Sequence, residues 1–129
     1  MALWSKKKTN TKITSYLKNK NISYQEEENV IKFEICFTDS GFMLYPYITI
    51  DEAKELISID INVNHINVKH NGYSVLNEIN KNAIFLKSYV TDESILVLEY
   101  RFVINDDITV TLEKVLNDLF SLENIIDKL

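Results

Sequence analysis

Alternation of apolar and polar residues is the feature that most constrains the fold of this chain. In the segment VIKFEICF, residues 30–37, every second side chain is apolar. Successive side chains of a strand point to opposite faces, so this pattern predicts a strand with one buried face. The segments MLYPYITI (43–50) and LISIDINV (56–63) follow after short polar turns. Together the three segments predict an antiparallel meander, in which Pro46 marks an edge position or a bulge.

Apolar residues at helical spacing predict three helices around these strands. Residues 11–21 contain a short apolar stripe, residues 71–83 a second one, and residues 109–129 keep spacings of three and four over about five turns. Between the second and third helices, residues 84–90 and 95–104 predict a hairpin across a polar turn.

The predicted order of elements is α-β-β-β-α-β-β-α. Each strand and each helix has one apolar side, and these sides must bury one another. We therefore expect an α+β fold of two layers, in which an antiparallel five-stranded sheet is packed with helices. The length of 129 residues indicates a single domain over residues 1–129, with residues 1–9 as a loose N-terminal tail.

The balance of charge argues against nucleic-acid binding. The chain has 19 acidic and 14 basic residues, a net charge of −5. Proteins that bind phosphates concentrate Lys and Arg on one face. Here the basic run is confined to residues 6–8, and Arg101 is the sole arginine.

The cysteine count and the N-terminal segment predict a cytoplasmic protein. Cys36 is the single cysteine, so no disulfide can form within the chain, which fits a reducing compartment. The first ten residues do not have the order of basic and apolar regions that a signal peptide needs. No apolar run approaches the length of a membrane span, so we expect no membrane partner.

The residues that could carry chemistry do not form a recognisable catalytic or metal-binding motif. His65 and His70 are five residues apart, whereas metal ligands on one helix face need spacings of three or four and a third ligand nearby. We interpret them as solvated loop histidines, residues 26–28 as an acidic turn and Cys36 as an inert thiol. The sequence therefore predicts no catalytic residues, no metal, no cofactor and no enzymatic activity.

Two tyrosines of the second predicted strand have two interpretations. Tyr45 and Tyr47 lie on the face opposite Leu44 and Ile48. Aromatic side chains that point outward from a strand can form a recognition surface for a partner. They can equally pack under the first helix, and we favour this core interpretation.

Two asparagines interrupt the apolar pattern of the second helix. Asn77 and Asn80 are three residues apart, and Asn80 is in phase with Leu76 and Ala83, so we expect it to be at least partly buried. A buried amide needs hydrogen-bonding partners, and the junction of a helix with a strand leaves backbone groups unpaired. We favour a structural clamp between helix and strand over a contact with a bound peptide.

The helix VLNEINKN (75–82) precedes an aromatic-bearing strand, a second alternating strand and a long final helix. This arrangement resembles the YbjN-like family, whose members carry a leucine-rich helix with an N-x-x-N-like pair, matched here by Asn77 and Asn80. The resemblance covers most of residues 10–129, and the family is similar in fold to class I chaperones of type III secretion. It implies a bacterial, non-catalytic, often dimeric protein that holds another polypeptide or has a regulatory role.

Three functions compete on this basis. The leading hypothesis is a chaperone-like protein that binds another polypeptide along a strand edge or in a groove beside a helix, and forms a homodimer. The alternative is an acidic immunity or inhibitor protein that neutralises a basic toxin, because the net charge of −5 attracts cationic partners. The third is an unrecognised enzyme, which a closed pocket with convergent polar groups would indicate.

Overall fold

A computed structural model describes residues 6–37, 41–67, 72–105 and 107–127. The helices within these residues are α1 (Lys6–Asn19), α2 (Gly72–Asn82), α3 (Ile108–Ser121) and α4 (Glu123–Asp127). The strands are β1 (Tyr24–Glu27), β2 (Val30–Phe33), β3 (Ile35–Cys36), β4 (Met43–Leu44), β5 (Tyr47–Asp51), β6 (Leu56–Asn67), β7 (Lys87–Val90) and β8 (Ile95–Val103).

The strands of the described residues form one large antiparallel sheet and one small one. The large sheet has six strands in the order β1-β2-β5-β6-β8-β7, and β3 pairs with β4 in a separate two-stranded sheet. The α+β class and the antiparallel sheet were predicted correctly. The predicted number of five strands and the element order α-β-β-β-α-β-β-α were wrong, because two predicted strands break in the middle and β1 was not expected.

Both predicted strands break where the ladder loses regular pairing. Pro46 has no N–H to donate, and its carbonyl oxygen accepts a hydrogen bond from the N–H of Phe33 at 3.0 Å. Beyond Phe33 the chain passes through Glu34 and continues as β3, which pairs with β4. Each long alternating segment is therefore divided between the two sheets.

Strand β1 replaces most of the acidic turn that we expected at residues 26–28. Glu26 lies opposite Ile31 and Glu27 lies opposite Val30, so both glutamates belong to a hairpin with β2. Glutamate has low strand propensity, but pairing with a neighbouring strand outweighs that preference. The turn itself consists of Glu28 and the next residue, Asn29.

Helices pack on one face of the large sheet, and the apolar alternation decides which face that is. Ile57, Ile59 and Ile61 of β6 are buried toward the helices, as predicted. The buried side chains of α1 and α3 meet this face; they include Ile13, Leu17, Leu112, Val115 and Leu119. We call the opposite side, which carries exposed residues such as Lys32 and Arg101, the outer face.

Two predicted element boundaries were wrong at the chain ends. Helix α1 begins at Lys6 and buries Thr9, so residues 6–9 are not a loose tail; residues 1–5 lie outside the described residues. The long C-terminal helix divides at Leu122, whose N–H donates to the carbonyl of Leu119 at 3.0 Å. Leu122 is fully buried, which places α4 back against the core.

Candidate functional site

A groove on the outer face brings together the side chains of Tyr45 and Tyr47; Tyr24 also borders it, but its side chain lies on the helix-facing side with that of Phe33, its partner in the β1–β2 register. It has a volume of about 450 Å³ and is lined by Tyr24, Tyr45 and Tyr47, together with Lys32 and Glu34 and three neighbouring residues. We call it the tyrosine groove. Its aromatic walls and its charged residues are the combination found in many recognition sites.

The break at Pro46 explains why the tyrosines lie on this side. Leu44 and Pro46 are buried, so Tyr45 between them points outward and is 58% exposed. The expectation that Tyr45 packs in the core was therefore wrong. Tyr47 is half-buried and lies opposite Lys32 of β2 on the outer face.

Strand β1, which contributes Tyr24 and Gln25 to the tyrosine groove, is also an edge of the large sheet. The N–H of Glu34 donates to the carbonyl of Ser23 at 3.1 Å. Counting in steps of two from Ser23, the backbone groups of Gln25 and Glu27 therefore face β2. In an antiparallel pair, every second residue directs its backbone groups away from the partner strand. Here those residues are Tyr24 and Glu26, so the open edge offers their N–H and C=O groups beside the groove.

A pair of carboxyl groups lies next to the groove on the outer face. Tyr47 is opposite Asp60, and Asp60 is opposite Glu99 on β8. Asp60 is 9% exposed; burial, and then its hydrogen bond and repulsion with Glu99, raise the pKa of Asp60 to about 7. Arg101, whose Nε lies 3.3 Å from Oε1 of Glu99, acts in the opposite direction on this pKa.

The carboxyl pair adds little net negative charge to this part of the outer face, because the pKa of Asp60 is raised and the Arg101 guanidinium pairs with Glu99. Burial first, and then the negative charge of Asp60, raises the pKa of Tyr47, so this tyrosine keeps its proton. Two carboxyl groups that share a proton also occur in acid–base enzymes. Neither Asp60 nor Glu99 lines the tyrosine groove, so the pair does not meet a bound molecule there.

A second groove, of about 480 Å³, lies between α1, α3 and the small sheet. We call it the helix groove. The hydroxyl of Tyr16 donates to Oε2 of Glu113 at 2.5 Å, and Nζ of Lys20 lies 3.2 Å from both carboxylate oxygens. The hydrogen bonds from Tyr16 and Lys20 lower the pKa of Glu113, and burial raises the pKa of Tyr16. These groups satisfy one another and join α1 to α3.

Asn80 joins α2 to the edge strand β7. Its Oδ1 accepts the backbone N–H of Ser88 at 2.8 Å and the Ser88 hydroxyl at 3.1 Å, and its Nδ2 lies 3.5 Å from the Ser88 carbonyl oxygen. These hydrogen bonds agree with the clamp interpretation, although Asn80 is exposed rather than buried. Asn77 is exposed and takes no part in this junction. A contact of either residue with a partner stays a prediction.

Asp118 of α3 organises the same junction, and the sequence reasoning missed it. Its Oδ1 accepts the N–H of Ile84 at 2.9 Å, and its Oδ2 accepts those of Phe85 at 2.9 Å and Leu86 at 2.8 Å. Asp118 is 5% exposed. The three residues are therefore bound to a carboxylate rather than to a strand, which is why β7 begins at Lys87 and not at residue 84. An acidic residue within the apolar pattern of the final helix was the available signal.

The histidines and the cysteine do not form a common site within the described residues. His65 lies in β6, so the loop assignment was wrong for it, and His70 lies outside the described residues. Cys36 is exposed, with its Sγ 3.6 Å from the carbonyl oxygen of Phe37. Over the described ranges, no three His, Cys, Asp or Glu side chains are grouped closely enough to hold a metal ion.

Comparison with family models, curated proteins and solved structures found no match to this chain. The resemblance to the YbjN-like family therefore stays a prediction. None of the helices in the described parts of the chain is long and apolar enough to cross a membrane.

Proposed function

We propose that this chain is a non-catalytic, chaperone-like or regulatory module that binds an extended segment of another polypeptide. The segment adds to the sheet along β1 and places a side chain in the tyrosine groove. The single observation that carries this proposal is that the groove and the open edge share Tyr24 and Gln25. Edge addition provides backbone hydrogen bonds, and a neighbouring pocket provides selectivity.

The other edge of the large sheet is less suited to this role. Ser88, in the middle of β7, already has its outward N–H bound to Asn80 at 2.8 Å, and its carbonyl lies 3.5 Å from the same amide. An approaching strand would have to displace that side chain. On β1 the corresponding groups of Tyr24 and Glu26 face outward, which favours β1 as the edge that receives a partner.

The tyrosines fit the role of anchor residues. Aromatic side chains supply much of the binding energy at interfaces, because they bury a large area with few rotatable bonds. Tyr45 is more than half exposed, so a partner side chain that packs on it removes apolar surface from water. Tyr47 lies between Lys32 of β2 and Asp60 of β6, and it is half-buried, so part of its ring is accessible to a partner.

Selection from a random library of displayed twelve-residue peptides tests the proposal. The wild-type chain is expected to enrich peptides that bind it in solution and lose affinity for the Tyr45→Ser variant. A matched Tyr89→Ser variant, which removes another exposed tyrosine of the outer face, should retain them. If no peptide is enriched, or if both variants bind equally well, the proposed binding site is wrong.

An inhibitor that neutralises a basic protein is the second candidate, and the acidic composition of β1 favours it. Such an inhibitor binds a folded cationic enzyme or toxin, whereas a chaperone-like module binds an extended segment. Neighbouring genes separate the two: a toxin gene favours the inhibitor, and a secreted substrate or secretion apparatus favours the chaperone. The acid pair of Asp60 and Glu99 does not favour the enzyme hypothesis over these, because neither residue lines the tyrosine groove or the helix groove.

A cytoplasmic location and homodimerisation complete the proposal. Both come from the sequence, the first from its single cysteine and the second from the family resemblance. Light scattering at working concentration should give twice the chain mass of 15.1 kDa. A mass of 15.1 kDa at all concentrations would remove the dimer from the proposal without affecting the peptide site.

A further inference from the structure

We infer that the segment bound along β1 is basic, with lysine or arginine at alternate positions, and that one of these cationic side chains occupies the tyrosine groove. This inference rests on the proposed function and adds the chemistry of the partner. It follows from three features of the described residues: the charge of the edge, the composition of the groove, and the spacing of side chains along an added strand.

The edge and its turn carry a strong excess of negative charge. Glu26, Glu27, Glu28 and Glu34 are all exposed, whereas Lys32 is the one basic residue between Ser23 and Glu34. Nζ of Lys32 lies 3.4 Å from Oε1 of Glu27, so part of its charge is already compensated. A segment that approaches this edge meets a negative potential, which attracts cationic residues and repels acidic ones.

Apart from Lys32, whose ammonium group lies 3.4 Å from Oε1 of Glu27, the groove has the composition of a site for an organic cation. Tyrosine rings attract ammonium and guanidinium groups to their faces, and the rings of Tyr45 and Tyr47 lie on the side of the sheet that carries the groove. The Glu34 carboxylate is also in the groove, and it has the charge to pair with such a group.

The geometry of an added strand gives the spacing. Side chains alternate between the two faces, so every second residue of the bound segment lies on the outer face beside Gln25 or Glu27. The intervening residues lie on the same side as Tyr24 and Glu26. A cationic residue beside Gln25 is next to the groove, and one two positions along is beside Glu27.

Charged residues on an edge strand also protect proteins from aggregation, and this role needs no partner. The two roles differ in one measurable respect. An edge that only repels other strands binds no peptide of either charge, whereas a binding edge discriminates between peptides of opposite charge.

Isothermal titration with three synthetic nine-residue peptides tests the inference. The peptides alternate Val with Lys, with Glu or with Ser, and are otherwise identical. At low salt, the Lys peptide should bind at least about tenfold more tightly than the Ser peptide, and its advantage in affinity over the Glu peptide should be larger still. The affinity of the Lys peptide should fall as the salt concentration increases. The Glu27→Gln, Glu34→Gln double variant, which neutralises two acidic side chains on the outer face at this edge, should lose about tenfold for the Lys peptide. The control double variant Asp92→Asn, Glu93→Gln makes the same charge change in the turn between β7 and β8, at the other edge of the sheet, and should lose less than about twofold.

Each outcome decides a different question. The inference of a basic partner is wrong if the three peptides bind equally, if the Glu peptide binds best, or if the two double variants lose affinity equally. In each of these cases the proposed peptide site still stands. If none of the three peptides binds, and the library selection also fails, both the inference and the proposed function are wrong. If none binds but the library yields peptides sensitive to Tyr45→Ser, the inference alone is wrong.

Discussion

The side-chain amide of Asn80 pairs with both backbone groups of Ser88, as the peptide group of a neighbouring strand would. Oδ1 accepts the N–H at 2.8 Å, and Nδ2 lies 3.5 Å from the carbonyl oxygen. The relationship does two things at once. It fastens α2 to β7, and it occupies the edge of the sheet at that strand, which leaves β1 as the more open edge.

Replacing Asn80 with alanine should lower the free energy of unfolding by about 1 kcal/mol, because the outward N–H of Ser88 loses its partner and part of the loss is recovered by water. Urea unfolding followed by circular dichroism measures this. Asn77→Ala is the control, because Asn77 is exposed on the same helix, and it should change stability by less than about 0.5 kcal/mol. Equal effects of the two substitutions would show that the Asn80 hydrogen bonds contribute nothing.

Replacing Asp118 with asparagine should be more damaging, with a loss of about 2–4 kcal/mol. One carboxylate accepts three backbone N–H groups at 2.8–2.9 Å, and an amide provides one acceptor oxygen where there were two. Thermal and urea unfolding both measure the change. The exposed neighbour Asn117 serves as the control when it is replaced by alanine. A loss for Asp118→Asn that matches this control would contradict the assigned role.

The pair of Asp60 and Glu99 should make stability depend on pH. The pKa of Asp60 is about 7 in the folded chain and near its ordinary value of 3.8 when unfolded. Between these values the folded chain holds a proton that the unfolded chain has lost. The contribution of Asp60 to stability is therefore greatest below about pH 4 and declines as the pH rises to about 7.

Asp60→Asn should remove this decline and should raise the free energy of unfolding at pH 8 by about 1 kcal/mol, after allowance for solvent screening on the open face. Unfolding by urea at pH 5, 6, 7 and 8 gives the two profiles. Glu93→Gln, in the turn between β7 and β8, controls for the loss of one negative charge. If the free energy of unfolding depends on pH in the same way for wild type and Asp60→Asn, the description of a shared proton is wrong.

Tyr45→Ser separates binding from stability. The side chain is 58% exposed, so its loss should change the free energy of unfolding by less than about 0.5 kcal/mol. Affinity for a selected peptide should fall at least about tenfold, as expected for an aromatic anchor. Calorimetric titration and unfolding of the same preparation provide both numbers. A large loss of stability with unchanged affinity would make Tyr45 a structural residue.

Much of the strand layer was predictable because burial imposes a period of two on the sequence. Ile31, Phe33 and Ile35 are buried as their alternation predicted. Strand β1 was not predictable in this way, since its sequence, Tyr-Gln-Glu-Glu, has no apolar alternation and obtains its conformation from pairing with β2. The division of the final helix at Leu122 was equally hidden, because the apolar spacing continues across it.

The candidate site was predictable to a smaller extent, because it depends on contacts between distant residues. Tyr45 and Tyr47 were recognised as candidates from their position opposite Leu44, but their groove requires Tyr24, which comes from the unexpected strand. The pairing of Asp60 with Glu99 depends on the register of β6 and β8, which no local pattern specifies.

Amide hydrogen exchange of the labelled chain, measured by NMR with and without a selected peptide, tests the central claim most directly. A strand added to β1 should slow the exchange of the Tyr24 and Glu26 amides, whose N–H groups face outward. The amides of Gln25 and Glu27, which face β2, should change little. The account is contradicted if the peptide binds without slowing exchange of the Tyr24 and Glu26 amides, and instead slows the exchange of amides in the helix groove, such as those of Lys20 and Phe120.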